Sequence, residues 1–434
     1  MSETIFALSS GAPPAALAVI RISGKEAGKA LSALAGALPE PRRASLRTLR
    51  VSRETVLDQA LVLWFPGPAT ATGEDLAELH LHGGRAVVRA VEAALAGLAH
   101  AGGGQPALSI RPAEPGEFTR RAFANGRIDL AEAEGLADLL SAETELQRRA
   151  AIAMAGGALS QQVHAWRDRV LAASAGVEAV LDFADEDDVA ALPTSFYADL
   201  ASLAEELETW LSRPRAEALR EGLRIVLAGP PNAGKSTLFN ALVEDEAAIT
   251  APLAGTTRDV LIRAVALDGV PFAFIDTAGL RDGTDDAIEA IGVDRARGEL
   301  ERADLVLWLG PEGEGPELAW EIDAQIDREG HDAKAHARHR ISAKTGEGLD
   351  DLRRDLVSHG RSCLPRPGEL ALNRRQGELL SQALTGIRGA GVQSDLLILA
   401  EELRTARVAF DSLIGRATTE DMLDALFGRF CIGK

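Results

Sequence analysis

Ile225-Val-Leu-Ala-Gly-Pro-Pro-Asn-Ala-Gly-Lys-Ser236 decides the fold of this chain. A short apolar run passes directly into G-x-x-x-x-G-K-S and then into a helix-forming segment, the context of a phosphate-binding loop. The glycines let successive backbone N–H groups converge on phosphate oxygens. Lys235 reaches toward the β- and γ-phosphates, and the Ser236 hydroxyl is suited to ligate Mg²⁺. Asn232, Ala233, Gly234 and Thr237 complete the expected cradle, and the Asn232 side-chain oxygen suits a monovalent cation beside the phosphates. From residue 223 to about 360 the pattern runs strand, Gly-rich turn, helix, strand, as in a parallel α/β domain.

Ala254-Gly-Thr-Thr-Arg-Asp259 and Asp276-Thr-Ala-Gly279 then follow in the order of GTPase switch segments. Thr257 is expected to complete the magnesium shell and sense the γ-phosphate. Asp276 closes the apolar run 272–275, where a carboxylate behind the magnesium ion belongs, and the Gly279 backbone N–H is the second γ-phosphate sensor. Leu280 stands where Ras-like GTPases carry a water-orienting glutamine, so the polarising group must come from elsewhere, among the carboxylates after Arg281. Charge on the transferring phosphoryl group also needs a cation, either an arginine or a metal ion.

Base recognition is where the pattern weakens. Ser342-Ala-Lys344 matches the loop that supports a guanine ring, but no Asn-Lys-x-Asp precedes it. The nearest candidate, Ala324-Gln-Ile-Asp327, keeps only the final aspartate. Asp327 can accept from guanine N1–H and the exocyclic amine, which adenine cannot satisfy. No clear strand is legible in the polar stretch 311–339 to carry this loop.

At 434 residues the length fits roughly three domains. A composition 46% hydrophobic and 26% charged builds several cores and rules out a disordered chain. The net charge of −19 argues against non-specific polyanion binding, and 4% aromatics argues against a base-stacking platform. Two distant cysteines, Cys363 and Cys431, make neither a disulfide framework nor a zinc site and suit the cytoplasm. The first 19 residues lack a signal-peptide pattern, and no apolar run is long enough to span a membrane.

Residues 17–22 and 59–65 read as strands, 84–98 as a helix and 101–106 as a loop. Helical spacing fills most of 119–215, in Leu130, Ala133, Ala137 and Leu140 and again in Leu200, Leu203, Leu207 and Leu211. It returns after Pro365 and Pro367, in Leu399, Leu403, Ala406, Phe410 and Leu413. The acidic residues 185–188 read as a solvated loop. Helices on both sides of the α/β unit predict a G domain, 216–362, inserted into one helical domain made of 119–215 and 363–434. An α+β domain over 1–118 precedes them.

The chain resembles the MnmE family, also called TrmE, of tRNA-modification GTPases over nearly its whole length. The markers are Val19-Ile-Arg-Ile-Ser-Gly24, Thr72-Gly-Glu-Asp75 with Glu78 and His82-Gly-Gly84, Pro115-Gly-Glu-Phe-Thr-Arg-Arg-Ala-Phe123, Asn125-Gly-Arg-Ile-Asp-Leu130 and Cys431-Ile-Gly-Lys434. The resemblance implies an N-terminal folate-binding domain that dimerises, a two-segment helical domain and an inserted G domain. It implies a homodimer that joins an FAD-dependent MnmG-like protein in a heterotetramer or larger complex. Together they modify C5 of the wobble uridine of certain tRNAs to aminomethyl or carboxymethylaminomethyl forms.

By the same resemblance Arg21, Glu78, Arg127 and Lys434 fall on contacts to 5-formyl- or methylene-tetrahydrofolate. Asn232 falls on the K⁺ ligand, with backbone carbonyls at Ala251, Leu253 and Thr256, and Ser236 and Thr257 fall on the Mg²⁺ ligands. Glu289 falls on the acid that positions water, beside Lys235 and Thr257 in the catalytic set. Thr277, Ala278, Gly279, Asp327, Ser342, Ala343 and Lys344 complete the GTP site. Ser10-Gly-Ala-Pro-Pro14, Ala71 and Arg127 depart from the family pattern, and arginine and lysine differ in geometry. Apart from Lys434, Cys431 lacks a neighbour that clearly activates its thiol, and it reads as structural or folate-adjacent.

Two other readings stand beside an active tRNA-modifying GTPase. A nucleotide-gated binding or scaffold protein without turnover is favoured by the eroded guanine motif and opposed by Lys235, Ser236, Thr257, Asp276 and Glu289. A ribosome-assembly GTPase would share the G cassette but not the N-terminal motifs, and would carry a basic RNA-binding appendage.

Overall fold

A computed structural model describes residues 3–100, 107–182, 192–243, 261–276, 298–366, 369–417, 419–428 and 430–433. The loop at 101–106, the acidic residues 185–188, Ala251, Leu253, Thr256, Thr257, Thr277, Ala278, Gly279, Glu289 and Lys434 lie outside the described residues. The chain divides into two compact units, residues 1–137 with 411–434, and residues 138–410.

The first unit is built on six strands, β1 (Thr4–Leu8), β2 (Leu17–Ser23), β3 (Ser45–Arg50), β4 (Val56–Phe65), β5 (Leu76–His82) and β6 (Ile110–Pro112). Their order is β3-β4-β5-β2-β1-β6, antiparallel except for β6 against β1. Period-two alternation sorts the side chains. Ala18, Ile20 and Ile22 of β2 and Ala77, Leu79 and Leu81 of β5 are buried on one face, beneath the helices Ala27–Ala35 and Arg85–Gly97. The intervening positions, Val19, Arg21, Glu78 and His80, fall on the other face.

The motifs that mark the family form a buried polar scaffold in this unit. Arg121, in the helix Glu117–Ala124, donates to Glu74 Oε2 and to Glu117 Oε1, each at 2.9 Å. Glu117 also receives two bonds of 2.8 Å from Arg111, and Ser23 Oγ reaches Glu74 Oε2 at 2.9 Å. Asn125 Nδ2 donates to the Thr72 carbonyl at 2.7 Å. Gly73 has a φ of 78°, and a Cβ there would stand 2.8 Å from that of Asn125, so only glycine fits.

The second unit holds the sheet β7 (Leu223–Ala228), β8 (Leu261–Leu267), β9 (Val270–Asp276), β10 (Leu305–Trp308), β11 (Trp320–Ala324) and β12 (His339–Ile341). The order is β12-β11-β10-β7-β9-β8, parallel throughout except for β8 against β9. Central parallel strands are covered on both faces, which is why β7 and β9 read as nearly unbroken apolar runs. The chain leaves β7 between β9 and β10, where the strand order reverses, and there the loop 229–236 begins.

The expectation of no strand in 311–339 is overturned by β11. Trp320 and Ile322 point into the core, but the buried Asp323 breaks the apolar pattern. Asp323 is tolerated because Oδ1 lies 2.7 Å from His331 Nε2. Elsewhere in the unit, helices Ala158–Asp182, Thr194–Leu211 and Leu396–Leu413 pack around Trp166, whose ring meets Trp210 edge-on at 5.3 Å and Phe410 at 5.9 Å. The second and third of these helices are the ones that the apolar spacing at 200–211 and 399–413 predicts.

Candidate functional site

The loop from Gly229 to Ser236 turns tightly because three of its residues take left-handed or extended positive-φ backbone: Gly229 at 148°, Asn232 at 65° and Gly234 at 93°. Lys235 is almost wholly buried and folds its Nζ back onto the loop, donating to the carbonyls of Gly229 at 2.9 Å and Pro230 at 2.8 Å. The helix Lys235–Val243 starts there, with Ser236 and Thr237 exposed in its first turn. Ser236 Oγ donates to Asp276 Oδ2 at 2.7 Å, so the end of β9 meets the end of the loop. The result is a helix N-terminus, an ammonium and a hydroxyl–carboxylate pair in one place. That set suits phosphate oxygens, and its hard oxygen donors suit Mg²⁺.

Just beyond the ends of the neighbouring strands β11 and β12 the structure brings Asp327 and Ser342 together. Ser342 is fully buried at the end of β12, and its Oγ donates to Asp327 Oδ1 at 2.6 Å while accepting from Thr345 N at 3.1 Å. That bond, more than any other influence, holds the exposed Asp327 carboxyl below its ordinary range, with the Lys344 charge contributing. The aspartate is therefore ionised and acceptor-only at neutral pH, as reading two N–H groups requires. Ala343 and Lys344 follow in the same turn. Gln325, which the sequence did not single out, donates from Nε2 to the backbone carbonyl of Asn232 at 2.9 Å and so links the two loops.

A separate polar cluster lies in the first unit. β2 and β5 pair Arg21 directly with Glu78, and Arg21 Nε donates to Glu78 Oε1 at 2.9 Å. His80, two residues along the same face, places Nε2 3.1 Å from Glu78 Oε2. Burial pushes the Glu78 carboxyl up, but the bonds from His80 and Arg21 outweigh it and leave it below the usual range. His80 was missed by sequence reasoning, although its period-two spacing from Glu78 was there to be seen. Arg127 is exposed in the turn after the helix Glu117–Ala124, not on the strands that carry this pair. At the chain's end Ile432 bridges Pro115, Gly433 has a φ of 95° and abuts the Leu8 carbonyl, and Cys431 is exposed.

Two family models match the chain: the GTP-binding protein TrmE N-terminus over residues 4–127, and the MnmE helical domain over residues 130–431. The chain belongs to the MnmE family. A tRNA modification GTPase MnmE from Erythrobacter litoralis is 65% identical over 432 residues, covering 100% of both chains. The MnmE of Novosphingobium aromaticivorans is 62% identical over 446 aligned residues, and that of Zymomonas mobilis subsp. mobilis 50% over 443, each again covering 100% of both chains. Membership of the MnmE family accounts for the order of the motifs. It leaves the departures at Ala324 and Gln325 to be explained by this chain's own geometry.

Proposed function

We propose that this MnmE-family GTPase hydrolyses GTP at the loop 229–236 and uses the cycle to drive modification of C5 of the wobble uridine in certain tRNAs. It does so as a homodimer, with an FAD-dependent MnmG-like partner in a heterotetramer or larger complex, giving aminomethyl or carboxymethylaminomethyl groups. The observation that carries the reading is the Ser236–Asp276 bond beside the buried Lys235, in a chain matched along its whole length by tRNA modification GTPases. The division into 1–118, 119–215 with 363–434, and 216–362 belongs to the same reading.

In this reading Lys235 and the backbone N–H groups of residues 232–237 hold the phosphates, and Ser236 with Thr257 would hold Mg²⁺. Asn232, with the carbonyls of Ala251, Leu253 and Thr256, would hold K⁺. The two cations would supply positive charge against the transferring phosphoryl group. Thr277, Ala278 and Gly279 adjoin the γ-phosphate, and Glu289 orients the attacking water. Asp327, with Ser342, Ala343 and Lys344, reads guanine. Arg21, Glu78, Arg127 and Lys434 would hold a tetrahydrofolate, which supplies a one-carbon unit. The Arg21–Glu78–His80 cluster fits such a ligand, because an ionised carboxylate accepts from pterin N–H groups while arginine pairs with carboxylates. The net charge of −19 agrees with the partner supplying much of the phosphate-binding surface for tRNA.

Reconstitution with a flavoprotein partner, unmodified tRNA, methylene-tetrahydrofolate, ammonium or glycine as the nitrogen source, and GTP, read by mass spectrometry of the nucleosides, tests the proposal. Modified uridine is expected only with GTP, and not with the Lys235→Ala variant. Equal modification with a non-hydrolysable GTP analogue would favour the nucleotide-gated scaffold instead, which the incomplete guanine motif also fits.

A further inference from the structure

We infer that Gln325 is a positioning residue that holds the base-reading loop against the phosphate loop and thereby sets guanine discrimination. The inference rests on the assignment of Asp327 to guanine.

Gln325 lies immediately after β11, two residues before Asp327, in the stretch that keeps only the aspartate of Asn-Lys-x-Asp. Its Nε2 donates to the carbonyl of Asn232, 93 residues away, at 2.9 Å. Its side chain crosses Gly234 so closely that a Cβ there would stand 3.0 Å from Nε2 and 3.3 Å from Cγ. The glycine of the phosphate loop therefore makes room for the glutamine of the base loop.

Both ends of this bond sit in left-handed backbone, Asn232 at φ 65° and Gln325 at φ 60°. Asparagine enters that region readily, but glutamine rarely does, so the Gln325 backbone is held there by its surroundings, and such positions gather at functional sites. Ala324 has no polar side chain with which to brace the loop. The loop is held instead from two sides, by Ser342 Oγ on Asp327 and by the Gln325 amide on Asn232.

One nucleotide would span both loops, its phosphates at residues 232–237 and its base at Asp327. Discrimination by paired hydrogen bonds depends on fixing that separation to a fraction of an ångström. The tie also ends on Asn232, the residue proposed to ligate potassium, so the base loop and the cation site share one anchor.

The test is equilibrium binding of GTP and of ITP, which lacks the exocyclic amine, to the full chain and to two variants. Gln325→Gly removes the amide while suiting the left-handed backbone, so the fold is kept. It should weaken GTP binding a few-fold, to about tenfold at most, as loss of one solvent-exposed hydrogen bond allows. ITP binding should weaken less, so the GTP-to-ITP ratio falls toward one. Gln325→Lys should restore the ratio, because an ammonium can donate to the same carbonyl.

An unchanged ratio in Gln325→Gly, equal losses for both nucleotides, or failure of lysine to restore it would each overturn the role of Gln325. They would leave Asp327 as the guanine reader if the wild type still prefers GTP. A wild type that binds GTP and ITP alike would instead remove the Asp327 assignment itself, and this inference with it.

Discussion

Arg121, with 1% of its surface exposed, shows what the family-marking motifs do at the scale of single residues. Its guanidinium is held by Glu74 and Glu117, and Glu117 in turn by Arg111. Removing one partner from a buried ionic network leaves the other charges uncompensated, so Arg121→Ala should cost about 3–5 kcal/mol in urea unfolding of the full chain. Burial raises the Glu117 carboxyl, but bonds from Arg111, the Glu114 backbone and Arg121 lower it further. A carboxyl lowered in the folded state gives stability that is complete above the ordinary carboxylate range and is lost as pH falls through the lowered value. The Arg121→Ala variant should therefore lose less stability on acidification than the wild type; an equal or steeper loss would remove the network from the account. These residues were legible as motif letters, but their partnership was not. Glu74 and Arg121 are 47 positions apart, and no periodicity joins them. The Arg21–Glu78 pair became visible only once the register of β2 against β5 was known.

Gln147 serves two elements at once. It closes the capping box at the start of the helix Glu145–Ala155, with its Oε1 accepting from Thr144 N at 2.9 Å and its own N donating to Thr144 Oγ1 at 3.2 Å. Its Nε2 donates to the Leu219 carbonyl at 3.0 Å, at the end of the short helix Ala216–Glu221 that leads into β7 and the phosphate loop. Gln147→Ala should cost roughly 1–2 kcal/mol in thermal unfolding, and Gln147→Glu less, because glutamate keeps the capping acceptor and loses only the donor. Equal losses in the two variants would deny the capping role. At this scale the long elements were legible. The leucine spacing in Thr194–Leu211 and the alternation in β2 and β4 follow from one-sided burial. Strand β11 was not, since five residues that include a buried acid carry too little apolar signal, and the His331 that makes the acid tolerable lies beyond the strand.

For the whole molecule, the order of the motifs gave the architecture, because a phosphate loop flanked by helical spacing on both sides leaves few arrangements. No described helix is long and apolar enough to cross a membrane, in keeping with the absence of any long apolar run. The segment proposed to read the base was the part the sequence left open, and there the structure supplies two ties, Ser342 to Asp327 and Gln325 to Asn232. The proposed function needs these ties to suffice for guanine and Asn232 to serve a potassium ion. The most direct test is nucleotide hydrolysis by the full chain in potassium chloride against sodium chloride at equal ionic strength, with ATP beside GTP. Turnover that is selective for GTP and faster in potassium is the expected result. Turnover indifferent to the cation, or equal with ATP, would contradict it.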